Sequence, residues 1–270
     1  MRFTVLASGS AGNASVVQAG GSAVLIDAGL QPRLLEERLG MVGLAGAPLS
    51  CAVLTHTHGD HWNDAALSWL HERGAGLVCH PSHQPSLERS AGFRRMLEAG
   101  SVRFYASGEA VELAPGLKGR PHPVRHDSGA TFAFRLEGPG DLFGSAAALG
   151  LATDLGVWDP SLAEALADCD VLAVEFNHDV GMQQASKRPQ FLIDRVLGEY
   201  GHLSNEQAAA FLKAVLEFGE GRLQHVVQLH LSRECNRPAL ARRAARAVLD
   251  ELGCEARLHT ATQHEPLRPI

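Results

Sequence analysis

The segment Thr55-His56-Thr57-His58-Gly59-Asp60-His61-Trp62 puts three histidines and one aspartate within six residues, in a chain with 14 His against 2 Tyr and 3 Trp. Imidazole nitrogens and carboxylate oxygens are the donors that suit divalent zinc, manganese and iron. On an extended chain alternate side chains share a side, so His56 and His58 face one way. Gly59 then permits a bend, and Asp60 and His61 face another. Such a loop carries donors for two ions about 3.5–4 Å apart, the spacing at which two cations stabilise both the attacking and the leaving oxygen of a hydrolysis.

The elements around this loop fit that use. It follows the apolar run Cys51 to Thr55, which reads as a buried strand, and precedes a helix from Asp64 to Arg73 with Asn63 as its N-cap. Strand ends and the turns after them are where α/β proteins carry reactive groups. Short strand-like runs open the chain: Arg2 to Ala7, Ser15 to Ala19 and Ala23 to Ile26, separated by turns rich in Gly, Ser and Asn. A helix is expected from Pro32 to Leu39. Leu77 to Cys79, Val102 to Tyr105, Glu109 to Leu113, Arg120 to Val124, Thr131 to Leu136 and Ala148 to Ala152 read as strands, with a hairpin turn from Glu137 to Ala146. The second half alternates: helix Ser161 to Ala167, strand Asp170 to Phe176, helix Ser204 to Phe218, strand His225 to Leu229, helix Pro238 to Leu252 and strand Arg257 to Thr260. Ser204 and Gln207 form a capping box at the head of the helix they open. Hairpins followed by βα units, twice over, imply an α/β chain of two similar halves. Two sheets packed face to face with helices outside bury both, as a single domain over residues 1–270.

Composition narrows the function. With 45% hydrophobic and 20% charged residues the chain is globular, neither disordered nor fibrous. A formal charge of −6 disfavours non-specific wrapping of nucleic acid. Five scattered cysteines without a C-x-x-C pair read as reduced thiols. The opening Met1 to Asn13 is too short in apolar residues for a secretion signal, and no apolar run approaches the ~20 residues of a membrane span. A cytoplasmic protein without membrane contact is expected.

The H-x-H-x-D-H pattern of His56, His58, Asp60 and His61 resembles the metal loop of the metallo-β-lactamase superfamily. Ala7-Ser8-Gly9-Ser10-Ala11-Gly12-Asn13, followed by Leu25-Ile26-Asp27-Ala28-Gly29, resembles the opening of its YycJ/WalJ-like branch. The resemblance implies the αββα four-layer sandwich of that fold. It also implies further ligands: His126 in Val124-Arg125-His126-Asp127, with His122 as a rival, Asp154 in Ala152-Thr153-Asp154, and His230 in Leu229-His230-Leu231. One ion (Zn, Mn or Fe) is then held by His56, His58 and His126 and the other by Asp60, His61 and His230, with Asp154 and a nucleophilic hydroxide between them. Asp27 supports the loop from behind.

Glu175-Phe176-Asn177-His178-Asp179 and Gly201-His202-Leu203-Ser204-Asn205 resemble the phosphodiesterase side of the superfamily, which includes RNase Z-like enzymes. That resemblance gives His202 the role of protonating the leaving oxygen or stabilising the charged phosphate, and Glu175 that of orienting it. His178 contacts phosphate or metal in this reading, or is a structural residue at a helix start. Ser8, Ser10 and Asn13 either hydrogen-bond phosphate or metal ligands or simply form the first turn. The branch implies a 5′-phosphate-dependent 5′→3′ exonuclease on DNA, and a homo-oligomer is compatible with it. Lys187, Arg188, Arg195, Arg233, Arg237, Arg242, Arg243 and Arg246 either grip the strand or form solvated faces. Two other readings stay open: hydrolysis of a thioester or other ester, as in glyoxalase II-like enzymes, and a metal-binding sensor without turnover. Cys235, where a second Asn is common, departs from the branch.

Overall fold

A computed structural model describes residues 1–140 and 146–270. The first sheet has six strands in the order β1 (Arg2–Ala7), β2 (Ala14–Ala19), β3 (Ser22–Ile26), β4 (Leu49–Val53), β5 (Gly76–Cys79) and β6 (Val102–Phe104). β1 to β3 are antiparallel neighbours; β3 to β6 are parallel, so the sheet is mixed. The second sheet has seven, in the order β13 (Arg257–Thr260), β12 (His225–Leu229), β11 (Val171–Glu175), β10 (Ala146–Ala152), β9 (Thr131–Gly140), β8 (Leu117–Val124) and β7 (Val111–Ala114). β10 to β13 run parallel and β7–β8 antiparallel, so this sheet is mixed too. Half of the expected hairpin turn, residues 141–145, lies outside the described residues; 137–140 belong to β9 and Ala146 begins β10.

The chain forms two compact units. The first comprises residues 1–121, 136–147 and 262–270, and the second 122–135 and 148–261. The first unit carries α1 (Pro32–Met41), α2 (Asp64–Glu72), α3 (Gln84–Leu87) and α4 (Ala91–Glu98). The second carries α5 (Pro160–Ala165), α6 (Val180–Gln184), α7 (Gln190–Leu197), α8 (Asn205–Phe218) and α9 (Pro238–Glu251).

Each unit has its own apolar core. In the first, Leu25, Leu54, Leu67, Leu70 and Phe93 are fully buried, and in the second Phe176, Phe211, Leu212 and Leu249 are. Burial of each such side chain is worth about 1.5–3 kcal/mol, and this holds the strand ends rigid. The caps form as the residue types require. Asn63 accepts from Ala66 N at 2.9 Å, and Ser204 and Gln207 bond reciprocally at 3.2 and 2.9 Å.

Four helices are absent from the sequence reading: α3, α4, α6 and α7. α4 starts at Ser90, whose hydroxyl accepts from Phe93 N at 3.0 Å. It packs so closely on α2 that a Cβ on Gly92 would lie 2.6 Å from Ser68 N. α7 begins after Pro189 without a side-chain cap and buries Ile193 and Val196.

Candidate metal centre

In the first unit the site begins with strand register. β3 and β4 are parallel with Ile26 opposite Val53, so Asp27 and Thr55 leave the sheet side by side. Asp27 sits at φ +60°, a left-handed conformation that turns the chain out of the sheet. Its buried carboxylate accepts from Thr55 N at 2.9 Å, from the Thr55 hydroxyl at 2.9 and 3.1 Å, and from His61 Nδ1 at 2.7 Å. A proton fixed on His61 Nδ1 leaves the lone pair on Nε2, the form that ligates a metal. The Thr55 hydroxyl also lies 3.0 Å from His56 Nδ1.

The Asn13 amide reaches both His61 Nε2 and Asp60 Oδ2 at 3.0 Å. Two lone pairs therefore converge on one positively polarised group, as they would on a cation. The rings of His56 and His58 are 5.0 Å apart, and those of His56 and His61 3.9 Å apart. Ser8 is buried, with its amide on the Thr262 carbonyl at 3.1 Å.

The loop crosses directly over Gly29, where a Cβ would stand 1.8 Å from the Asp60 carbonyl oxygen. Trp62 Nε1 donates back to Thr57 O at 3.0 Å, and the Tyr105 hydroxyl donates to Leu54 O at 2.9 Å. Burial pushes the Tyr105 pKa well above its ordinary value, so it stays a donor. Thr55, Gly29 and Tyr105 have no role in the sequence reading. Gly29 was visible beside Asp27, but Tyr105 is distant in sequence from the carbonyl it holds.

In the second unit β10, β11 and β12 are parallel, with Ala152 opposite Val174 and Glu175 opposite Leu229. The register places Asp154, Glu175 and His230 at one sheet edge. Asp154 and His230 have φ of +57° and +52°. Glu175, fully buried, accepts from the amides of Asp154, Leu155 and Leu203 at 3.3, 3.2 and 2.8 Å, and from His202 Nδ1 at 3.1 Å. Burial pushes its pKa up, but the charge of His202 and hydrogen bonds with His202 and His230 outweigh burial and hold the carboxyl below its ordinary range.

Ligand atoms of Asp154, Glu175, His202 and His230 all lie within 4.8 Å of one another. His126 Nε2 is 3.8 Å from Asp154 Oδ1, while its Nδ1 meets the Gly201 carbonyl at 3.0 Å. Burial lowers the His126 pKa, so the ring is neutral and keeps a lone pair. His122 lies inside β8. Asn177, unassigned in the sequence reading, donates to the His230 carbonyl at 2.8 Å. His178 is outside the four-donor group. The residue is 1% exposed, neither ring nitrogen has a hydrogen-bond partner, and burial lowers its pKa to about 4.

Two mixed sheets with helices carry strand-end clusters of His, Asp and Glu that suit divalent metal ions, the frame of an α/β metalloprotein. Residues 22–223 match the sequence model of the beta-lactamase superfamily domain, and the chain belongs to that family, with the metallo-β-lactamase fold. Over 258 residues it is 26% identical to a protein named exodeoxyribonuclease YycJ from Bacillus anthracis, covering 94% of this chain and 90% of that one. Over 240 residues it is 25% identical to exodeoxyribonuclease WalJ of Streptococcus pneumoniae, covering 89% and 85%. The crystal structure of Zn(2+)-bound PqqB from Methylobacterium extorquens has the same fold, with a TM-score of 0.67 at 17% identity over 99% of both chains. Both clusters offer only nitrogen and oxygen donors, a chemistry suited to divalent metal ions. No helix among the described residues is long and apolar enough to cross a membrane.

Proposed function

We propose that the protein is a dinuclear metal-dependent phosphodiesterase, a 5′→3′ exonuclease on DNA, and that its two units work as one domain. His56, His58 and His126 would hold one ion and Asp60, His61 and His230 the other, with Asp154 as a further ligand. The ions are Zn, Mn or Fe; bound, they supply a water of lowered pKa and neutralise phosphate charge. Asp27 keeps His61 in its ligating tautomer, and Glu175 keeps Nδ1 of His202 protonated. His202 Nε2 then delivers a proton to the leaving oxygen.

One observation carries this reading. Within the cluster of Asp154, Glu175, His202 and His230, the His202 side chain is 19% exposed while the others are 3% or less. A buried carboxylate holds the one member that can meet both solvent and substrate, the arrangement of a general acid. The names of the YycJ and WalJ relatives support DNA as the substrate.

The test is incubation of the purified protein with Mn²⁺ or Zn²⁺ and with 5′-phosphorylated or 5′-hydroxyl oligonucleotides of DNA and RNA. Stepwise loss of nucleotides from the 5′-phosphorylated DNA is expected. Intact oligonucleotides alongside turnover of a thioester would replace this reading with the esterase one.

A further inference from the structure

Residues 262–270 run along β1, the edge strand of the first sheet. Phe3 N donates to Ile270 O and Ile270 N to Phe3 O at 2.9 Å, Leu267 N to Val5 O at 2.8 Å, and Ser8 N to Thr262 O at 3.1 Å. Arg38 on α1 fastens both sides, donating to Leu6 O at 2.8 Å and to His264 O at 3.2 Å. Covering a sheet edge keeps other chains from pairing with it, and that accounts for most of the segment. It does not account for Gln263.

Gln263 is buried, and both ends of its amide are bonded to the turn that follows β1. Oε1 accepts from Ala11 N at 3.0 Å, and Nε2 donates to Gly12 O at 2.8 Å. The turn is shaped around this side chain. Gly9 has a φ of +141°, and a Cβ there would lie 2.7 Å from Gln263 Oε1, so glycine is what lets the amide in. Only a primary amide offers an acceptor and a donor side by side; a carboxylate would set an oxygen against Gly12 O.

A second amide leads from the turn to the metal loop. Gly9 N donates to Asn13 Oδ1 at 2.9 Å. That bond fixes the direction of the Asn13 amide: its oxygen faces the turn, and Nδ2 faces Asp60 Oδ2 at 3.0 Å. The backbone takes the same route, with Asn13 N donating to Asp60 O at 2.7 Å and Gly29 N to Asn13 O at 2.9 Å. Asp60 and His61 are therefore held from two directions. Asp27 acts through His61, and Gln263 acts through the turn and Asn13.

We propose that Gln263 is a positioning residue for the metal centre. It shapes the turn from Gly9 to Gly12 so that Asn13 aims its amide at Asp60. The site for the ion held through Asp60 and His61 is then complete only once residues 262–270 have docked on β1. The inference rests on the assignment of Asp60 and His61 as ligands. It adds to them a side chain 251 residues away from the carbonyl it holds and outside every donor cluster among the described residues.

The experiment titrates the purified protein with Zn²⁺ against a chromophoric chelator and follows thermal melting alongside. The binding step that Asp60→Ala removes identifies the ion in question. Gln263→Met keeps the length of the side chain and removes both bonds. Gln263→Glu keeps the bond from Ala11 N and turns an oxygen on Gly12 O. Each should weaken that step by roughly tenfold, the low end of what loss of an orienting partner does to a ligand, and leave the other step within about twofold. Asn13→Ala should weaken the same step, and Gln263→Met added to it should weaken it less than about twofold further, because both act on one path. Lower melting with both steps intact makes Gln263 a fastener of the sheet edge and overturns the proposal. Equal weakening of both steps overturns it as general loosening, and so does full additivity of the two substitutions. Should Gln263→Met not fold, Gln263→Glu carries the same comparison. Wild type that takes up no Zn²⁺ sinks the ligand assignment and this inference together; wild type that takes up two ions, with unchanged variants, sinks this inference alone.

Discussion

Replacing Asp27 by Asn changes one atom type at the point where the first cluster is held. Asn tolerates the left-handed φ of +60°, so the backbone is not the variable. Its Oδ1 still accepts from Thr55 N, now at 2.9 Å. Its NH₂, however, stands where Oδ2 lies 2.7 Å from His61 Nδ1. Two donors cannot face each other, so His61 either loses the bond or moves its proton to Nε2 and forfeits the lone pair that a metal would take. Leaving a buried polar group mismatched costs about 1–3 kcal/mol. Loss of a partner that orients a ligating histidine weakens metal binding by roughly 10–100-fold, equal to about 1.4–2.8 kcal/mol. The two estimates overlap, and the expectation is a fall in affinity of about that size for the ion bound through His61. Competition against a chromophoric chelator measures it, with thermal melting as control. Asp27→Ala should melt lower as well, because alanine in a left-handed conformation adds ~1–2 kcal/mol. Asp27→Asn that binds both ions within twofold of wild type would refute the tautomer argument.

The other expectations are simpler. Asp154→Ala and His58→Ala should each abolish turnover and lower metal stoichiometry, read by elemental analysis after gel filtration; unchanged stoichiometry in both removes the ligand assignment. His202→Ala should keep its metals yet lose about 10²–10⁴ in kcat, and wild-type rates on a phosphodiester would take His202 out of the reaction. Gly29→Ala should displace the metal loop, since the new methyl would stand 1.8 Å from the Asp60 carbonyl; reduced metal content with a lower melting temperature is expected, and a wild-type profile would contradict the close crossing.

The cluster of potential donors was legible because they crowd one short segment, and the strand ends were legible because Asp27, Asp154 and His230 each follow an apolar run. The architecture of two mixed sheets with helices followed from the alternation of hairpins and βα units. α7 was not legible: it has no side-chain cap and buries only two residues, too few to set a period. α4 did carry a signal, in the Ser90 cap with Phe93 and Met96 behind it, which the reading passed over. The contacts of Thr55 with Asp27 and of His126 with the Gly201 carbonyl span 28 and 75 residues. No local pattern encodes them; they exist only once the sheets have formed.

Among the described residues, Asp27, Asp154 and His230 are three of the four non-glycine positions with positive φ. Such a conformation accepts Gly, Asn and Asp readily and other side chains poorly. Attempts to alter metal preference by exchanging donors therefore meet unequal freedom. His56, His58, His61 and His126 are not among these positions, so an exchange there meets no such backbone constraint. At His230 a new donor must also suit an unusual backbone, so ligand exchange there will test the chain before it tests the coordination chemistry.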